Sequence, residues 1–282
     1  MRRVEEEAVY LAGMHGLGDN IYTRSVLPKD RAIYLQTPWP QLFRDMPNIR
    51  PVRANSKLRT QRKNEAESSL YVEEPKISAR KISYANSGII EGLEKTSGFK
   101  FRGMSLPSFG RKSVRGRYAV IRPSTLRAEW YAAARNPRPA YLVEAACQLR
   151  EAGFTVVAVA DIDGKNEWAD GEIPPHDIGF LAGELSVTEL LRLVQNADAL
   201  VGGVGWILPA GIAYRRRSLV ICGGEGGWNS PAIITDKRMD LTKTTFAVPD
   251  NFCMCRNHRH ECNKKITRFS EICADWIANL VA

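Results

Sequence analysis

Short apolar runs alternate with amphipathic stretches along most of the chain, and this alternation sets the predicted secondary structure. Strands are predicted in the first part at residues 8–14, 31–37, 48–54 and 82–88. Further strands are predicted at residues 118–124, 154–161, 199–204 and 218–224. The β-branched run FTVVAVAD within this second set is typical of a strand that is buried on both faces.

Helices are predicted between these strands. The first covers residues 20–26 and ends before Pro28, because proline cannot continue a helix. The stretch PAYLVEAACQLREAG has proline at its start and glycine at its end, the usual asymmetry of a helix. SVTELLRLVQNA opens with a capping box, Ser186-x-x-Glu189. Two more helices are predicted at residues 207–216 and 268–281, whereas the polar residues 55–80 predict a loop or a loose helix.

This alternation predicts an α/β fold with two doubly wound Rossmann-like domains of parallel strands. A chain of 282 residues is also long enough for two domains of ordinary size. Residues 107–117 are rich in glycine, serine and arginine and predict a linker. We therefore expect an N-terminal domain at residues 1–116 and a C-terminal domain at residues 117–282. The last helix could pack back on the N-terminal domain.

The net charge of +9 is confined to the first of these parts. Residues 1–116 contain 21 Lys and Arg against 12 Asp and Glu, whereas residues 117–282 contain 19 of each. The excess is densest at residues 50–63. A basic surface attracts polyanions, so we expect a polyanionic partner for the first domain. The alternative is a solvated basic face that only aids solubility.

The composition indicates a globular protein, with 44% hydrophobic and 25% charged residues. The longest uncharged run, residues 199–214, is too short and too interrupted by glycine and proline to span a bilayer. Acidic residues 5–7 interrupt the apolar core that a signal peptide would need, which predicts a cytoplasmic location. In such a reducing compartment the six cysteines are not expected to form a disulfide framework.

The turn after the first strand, GMHGLGDN at residues 13–20, contains three glycines. Ligands of open α/β sheets bind beyond the carboxyl ends of strands, where glycine lets the backbone approach them. A dinucleotide fingerprint would need a third glycine at Ile21, and the Asp19 carboxylate would repel a phosphate. The turn is therefore expected to present Asp19 to a neutral group. The alternative is that Asp19 simply N-caps the following helix.

GLGDNIYTRSVLP, residues 16–28, resembles the N-terminal motif of heptosyltransferase-like glycosyltransferases (glycosyltransferase family nine), which have a GT-B fold. RPSTLRAEW, residues 122–130, resembles the Thr-rich phosphate segment of that family. Residues 181–231 then follow its helix, strand, glycine turn, helix and glycine-ended strand in order. The resemblance covers about half of the chain and rests on the order of these motifs.

The resemblance implies an inverting, metal-independent transferase whose two domains face a cleft and which uses a nucleotide-sugar donor. Asp19 would be the catalytic base, and the other predicted substrate-binding residues are His15, Gly16, Gly18 and Asn20. The predicted donor-binding residues are Arg122, Ser124, Thr125, Arg127 and Gly205, with Arg122 as the second choice. For His15, a purely structural role is the alternative.

The second glycine turn departs from the family pattern, since Gly203 and Leu208 stand where the family has Asp and His. The donor therefore need not be ADP-heptose. For the ribose or base, the unranked candidates are three acids after one strand, Asp161, Asp163 and Glu167. Asp161 and Asp163 also form the Asp-x-Asp metal motif of another transferase class. We disfavour that interpretation, because a divalent-metal site needs converging oxygen ligands.

CMCRNHRHEC places five potential soft-metal ligands within ten residues: Cys253, Cys255, His258, His260 and Cys262. These residue types satisfy the ligand chemistry of a structural zinc site. The Cys-x-Cys spacing is unorthodox, however, and favours ordinary reduced thiols in a loop. Zinc is therefore the second interpretation of this segment.

Three functions compete for the whole chain. The favoured one is sugar transfer to a polyanion, namely a hydroxymethylated pyrimidine (hydroxymethylcytosine) in DNA, which phage transferases modify. Such an enzyme would work in the host cytoplasm, and its target base would have to be flipped out of the duplex. The second is transfer to a phosphorylated lipopolysaccharide core, the usual acceptor of the family. The third is a degenerate, non-catalytic transferase fold that binds nucleic acid.

Overall fold

The computed structural model describes residues 8–56, 58–84 and 87–281, except for the side chain of residue 67. The chain divides into two compact units. The first unit contains the described residues of Met1–Pro107 together with Thr235–Met239, and the second contains those of Ser108–Ile234 and Asp240–Ala282. The division falls before Ser108, and the segment that follows is anchored on the second unit. There the Phe109 amide donates a 2.7 Å hydrogen bond to Gln195.

The first unit is built on a four-stranded parallel sheet. Its strands are β1 (Val9–Ala12), β2 (Ile33–Gln36), β3 (Ile49–Val52) and β4 (Arg80–Lys81), in the order β3-β2-β1-β4. Its helices are α1 (Leu17–Arg24), α2 (Arg59–Glu67) and α3 (Ile89–Ser97). The core packs the apolar faces of these elements around the fully buried side chains of Leu11, Ile33, Leu35 and Leu93.

A buried arginine fixes the C-terminal end of α1. The side chain of Arg24 is 4% exposed and makes two 2.7 Å hydrogen bonds to the carboxylate of Asp45. It also donates to the carbonyl oxygens of Leu42 and Ser105. A charge this deeply buried is stable only with such a set of partners, so Asp45 is needed to hold α1 in place.

The second unit contains a six-stranded parallel sheet and a small antiparallel pair. Its strands are β5 (Tyr118–Ile121), β6 (Thr125–Arg127), β7 (Thr155–Val159), β8 (Glu167–Ala169), β9 (Ile178–Phe180), β10 (Ala199–Gly203), β11 (Arg217–Ile221) and β12 (Thr244–Ala247). The large sheet has the order β12-β11-β10-β5-β7-β9, and β6 pairs with β8. The helices are α4 (Pro139–Glu151), α5 (Val187–Asn196), α6 (Ile207–Tyr214), α7 (Gly226–Asn229), α8 (Pro231–Ile234) and α9 (Phe269–Val281).

The strand orders of both units follow the doubly wound Rossmann pattern, in which the strand order reverses beside the first strand of each unit. In the first unit the reversal lies between β1 and β4, and in the second it lies between β5 and β10. The predicted fold class, two Rossmann-like α/β units with parallel sheets, is therefore confirmed. Within the described part of the chain, no helix has the length and apolar character needed to cross a membrane.

The last helix, α9, contributes to the core of the second unit. Phe269, Cys273, Trp276 and Ile277 lie in one apolar cluster with buried residues of α4 and of the large sheet. The amphipathic spacing in the sequence therefore marks the face of α9 that covers this sheet.

Candidate active site

The glycines of the first turn make room for close neighbours. A Cβ at Gly13 would collide with the carbonyl oxygen of Gln36 on the adjacent strand. A Cβ at Gly16 would lie 2.5 Å from Oδ2 of Asp19. The bare backbone therefore serves both the packing of β2 and the placement of a carboxylate.

The side chain of Asn20 clamps this turn. Its Nδ2 donates to the carbonyl oxygens of Met14 and Gly16, at 2.7 and 2.8 Å. Its Oδ1 accepts a hydrogen bond from the Thr37 hydroxyl, and the residue is 1% exposed. The structure thus gives Asn20, predicted to bind substrate, a buried structural role.

Asp19 is the third residue of α1, so the alternative that it N-caps this helix is wrong. Gly16 occupies the N-cap position, and no side chain makes the capping bond. A carboxylate in the first turn is still favoured there by the positive end of the helix dipole. Asp19 is partly exposed at the carboxyl end of β1, where a ligand of this sheet would be expected.

Tyr84, which follows the neighbouring strand β4, holds the Asp19 carboxylate. Its hydroxyl donates a hydrogen bond to Oδ1 of Asp19. Burial, followed by the nearby charge of Asp19, raises the pKa of Tyr84 well above its ordinary value of 10.0. The phenol therefore remains a neutral donor at physiological pH. Because Tyr84 follows β4 and Asp19 follows β1, the pair lies at the strand-order reversal of the first unit.

The backbone of His15 is fixed in the same turn. Its carbonyl oxygen accepts hydrogen bonds from the indole of Trp39 at 2.8 Å and from the amide of Gln61 at 2.7 Å. Gln61 lies on α2 and is 2% exposed, so this polar helix supports the glycine turn. Gly18 lies beside Asp19 in the first turn of α1.

The predicted donor residues of the second unit gather around Glu167. Nε of Arg127 lies 2.6 Å from one oxygen of this carboxylate, and Nη2 of Arg122 lies 3.7 Å from the other. Arg122 also donates to the Thr125 hydroxyl at 3.0 Å. Burial lowers the pKa of Arg122 to about 10, so it remains charged at neutral pH. Arg122 and Arg127 therefore share Glu167 as a counter-ion, and the positive charge of Arg135 also acts on Arg122.

Ser124 and Gly205 lie on the same edge of the sheet as this cluster. The Ser124 hydroxyl is buried and, within the described structure, has no hydrogen-bond partner. A Cβ at Gly205 would meet nothing within 4 Å, so the backbone is open there. Ser124 follows β5 and Gly205 follows β10, which places both at the strand-order reversal of the second unit.

The departures in the second glycine turn have a packing explanation. A Cβ at Gly203 would lie 2.9 Å from the ring of Pro137, so the position has no room for an aspartate side chain. Leu208 is 1% exposed and belongs to the core. Neither residue supplies a polar group of the kind found in the resembling family.

The acidic residues after β7 are engaged in local structure. Oδ1 of Asp163 accepts hydrogen bonds from the amides of Lys165 and Asn166, at 3.0 and 2.6 Å. These amide donors, with that of Glu167 foremost, hold the pKa of Asp163 well below its usual range. Asp161 forms a backbone bridge with Ala182. Asp163 therefore closes a turn, and Glu167 pairs with arginines.

The cysteine–histidine segment brings four of its five candidate ligands together. The ligand atoms of Cys253, Cys255, His260 and Cys262 all lie within 4.8 Å of one another. His258 lies outside this set, and its Nδ1 lies 2.6 Å from the buried carboxylate of Glu225. Across the described residues this is the one such cluster, and the Asp-x-Asp acids form none.

A cavity of about 710 Å³ lies beside this segment, a volume typical of ligand pockets. It is lined by Tyr131, Ala133, Ala134, Arg259, His260, Glu261, Cys262 and Lys264. None of the predicted donor residues is among them. The cavity therefore belongs to the cysteine–histidine segment and not to the arginine cluster, which consists of Arg122 and Arg127 around Glu167.

No protein-family model and no curated protein matches this sequence. Solved structures do match it. Heptosyltransferase II of E. coli, an ADP-heptose lipopolysaccharide enzyme, has a TM-score of 0.55 at 14% identity, over 98% of this chain and 100% of its own. The fold is that of the heptosyltransferases.

Two further structures agree. The dodecameric, iron-containing glycosyltransferase TibC of enterotoxigenic E. coli has a TM-score of 0.60 at 13% identity, over 98% of this chain and 75% of its own. A family 9 glycosyl transferase of Veillonella parvula has a TM-score of 0.52 at 11% identity, over 85% of both chains. At these identities the likeness shows a shared fold and nothing finer.

Proposed function

We propose that this protein is a glycosyltransferase that moves a sugar from a nucleotide-sugar donor to an acceptor hydroxyl. The observation that carries the proposal is the position of two residue groups in a heptosyltransferase fold. Asp19 with Tyr84, and the arginine cluster with Ser124, each occupy the strand-order reversal of their own unit. Ligands of doubly wound folds bind at these reversals.

The donor diphosphate binds the arginine cluster. Arg122 and Arg127 offer positive charge, and Glu167 is the carboxylate that they share. The Ser124 hydroxyl, which has no hydrogen-bond partner among the described residues, adds a donor for phosphate oxygens, and the open backbone at Gly205 adds space for them. TibC has been solved with ADP-D-β-D-heptose, which makes an ADP-sugar the first donor to test. Gly203 and Leu208 supply no polar group to the donor, so other residues would select the sugar.

Asp19 acts as the general base. It takes the proton of the acceptor hydroxyl as that oxygen bonds to the anomeric carbon and the bond to the diphosphate breaks, which inverts the anomeric centre. Tyr84 is a positioning residue that holds one carboxylate oxygen. The arginines stabilise the leaving diphosphate in the role that a divalent metal plays in other transferases, so no catalytic metal is needed.

The acceptor is a phosphorylated saccharide. The charge of residues 1–116 favours a polyanion, and heptosyltransferase II is named for lipopolysaccharide. No comparison supports the DNA acceptor that the sequence favoured, so hydroxymethylated DNA is retained only as a competing substrate in the assay.

A panel of ADP-, GDP- and UDP-sugars tests donor binding by thermal shift. One class should raise the melting temperature, because a ligand that binds the native state stabilises it. Sugar transfer from that donor, measured by mass spectrometry without added Mg²⁺, should then require Asp19. Asp19→Asn should retain the donor shift and lose transfer by at least about 100-fold. The exposed Asp30→Asn is the matched control.

Three results would contradict parts of this proposal. Full turnover in Asp19→Asn would remove the mechanism. The absence of any nucleotide-sugar shift would favour the non-catalytic, nucleic-acid-binding alternative. Transfer to hydroxymethylated DNA but not to a phosphorylated saccharide would replace the acceptor.

A further inference from the structure

The segment between β12 and α9 is long and irregular, yet it is anchored. Residues 248–268 form no helix or strand. Unstructured connections longer than about 12–15 residues are uncommon in compact domains unless something holds them. Four metal-ligating side chains converge in this segment, and their geometry indicates what holds it.

The distances in the cluster match the edges of a metal-centred tetrahedron. Sγ of Cys255 lies 3.6 Å from Sγ of Cys262. Nδ1 of His260 lies 3.3 Å from Sγ of Cys262 and 3.5 Å from Sγ of Cys253. Tetrahedral zinc, with Zn–S of about 2.3 Å and Zn–N of about 2.0 Å, separates two sulfurs by about 3.8 Å and sulfur from nitrogen by about 3.5 Å. A disulfide would need about 2.05 Å between sulfurs.

We propose that Cys253, Cys255, His260 and Cys262 bind one Zn²⁺ ion as a structural site. Thiolate and imidazole ligands suit zinc and exclude Ca²⁺ and Mg²⁺, which need oxygen ligands. Four protein ligands complete the tetrahedron and leave no open position for substrate. The ion therefore stabilises the segment and takes no part in sugar transfer.

The residues around the cluster are arranged to accept it. The Glu225 amide points at Sγ of Cys262 from 3.4 Å, the kind of second-layer hydrogen bond that orients a metal ligand. The amides of Gly226 and Gly227 donate to the carbonyl oxygens of Cys253 and Cys255, at 2.7 and 3.0 Å. These glycines are required, since a Cβ at either would come within 2.7 Å of the segment.

His258 supports the segment without binding the ion. Its Nδ1 contacts Glu225, which is 1% exposed, and its carbonyl oxygen accepts a hydrogen bond from the Ala134 amide at 3.0 Å. Glu225 itself has a left-handed backbone with φ of 56°. Two histidines separated by one residue thus have different roles, and this difference can be tested.

Metal analysis of the full-length protein is the first test. Purified protein should contain about one zinc per chain by plasma mass spectrometry. Cys262→Ser and His260→Gln should reduce this content at least about fivefold. Cys147→Ser, a cysteine exposed on α4, and His258→Gln should retain it. Equal loss in the two histidine variants, or full retention in Cys262→Ser, would overturn the ligand set.

Thiol labelling of the wild-type protein removes the dependence on variants that fold poorly. With zinc bound, iodoacetamide should modify Cys147 first, because burial raises the pKa values of Cys222 and Cys273 to about 12. A chelator should then expose three more cysteines and accelerate hydrogen exchange at the amides of Gly226 and Gly227. Equally rapid labelling of the cluster before chelation would refute a bound ion. One equivalent of iron in place of zinc would overturn the choice of metal, and iron is measured because TibC is described as iron-containing.

Discussion

Glu167 neutralises the arginines of the proposed donor site, and Glu167→Gln isolates that contribution. The substitution preserves the size of the side chain and its ability to accept a hydrogen bond from Arg127. It removes the negative charge that faces both Arg122 and Arg127. The backbone pairing of β6 with β8 does not depend on the side chain, so the fold should persist.

The expected cost follows from the burial of the three groups. The side chain of Glu167 is 5% exposed, that of Arg122 18% and that of Arg127 31%. Removing one partner of a fully buried ion pair costs about 3–5 kcal/mol, and the water that reaches Arg127 places this case near the lower end. For a protein of this size, about 3 kcal/mol lowers the melting temperature by about 6–12 °C.

Calorimetry of Glu167→Gln beside the exposed control Glu172→Gln measures this effect. A double-mutant cycle with Arg127→Gln should give a coupling free energy of about 1–3 kcal/mol, because the double variant no longer leaves Arg127 without its counter-charge. A melting temperature within about 2 °C of wild type, or strictly additive effects, would refute the assignment of Glu167 as the shared counter-ion.

Three further predictions concern the first unit. Asp45→Asn should lower the free energy of unfolding by about 2–3 kcal/mol in urea titrations, since it breaks a bidentate pair with buried Arg24; no loss would contradict that pairing. Tyr84→Phe should reduce kcat about 10-fold with little change in the donor KM, and should move the acidic limb of the pH profile upward, because the carboxylate loses a donor that favours its charged form. An unchanged pH profile would exclude that positioning role. The hydrogen bond from Arg238 lowers the pKa of Glu94 below its ordinary 4.5, so its stabilisation is present above pH 4.5 and disappears as the pH falls below it. Glu94→Gln should therefore be less stable than wild type at pH 7 and approach it at pH 3, whereas a constant difference would contradict the linkage.

The regular elements with apolar periodicity or cap signals were predictable from the sequence. The capping box at Ser186 is present, with its hydroxyl accepting from the Glu189 amide. The β-branched run at residues 154–161 contains β7, buried at four of its five positions. Helix α1 begins earlier than predicted because a glycine caps it, and glycine leaves no side-chain signal at that end.

Helix α2 was predicted only as loop or loose helix because its buried face is polar. Gln61 and Asn64 are 2% and 6% exposed, and they donate to the carbonyl oxygens of His15 and Pro38. No hydrophobic period marks such a helix. The pairing of Tyr84 with Asp19 has no local signal either, since it depends on the adjacency of β1 and β4.

Spacing alone could not separate the two histidines of the cysteine-rich segment. His258 and His260 differ in their contacts because Glu225, remote in sequence, lies against His258, whereas His260 lies among the cysteines. In each of these cases the sequence shows which polar residue types are present, whereas contacts between residues distant in sequence determine which of them pair.

The five residues Thr235–Met239 belong to the first unit although the second unit flanks them on both sides. Arg238 in this strip binds Glu94 at 2.8 Å and stacks on Phe101. During synthesis, most of the second unit must therefore leave the ribosome before Thr235–Met239 can complete the first unit. A fragment that stops at Pro107 would lack Arg238, which leaves Glu94 without this cation. We therefore expect the intact polypeptide to be more stable than either half expressed separately.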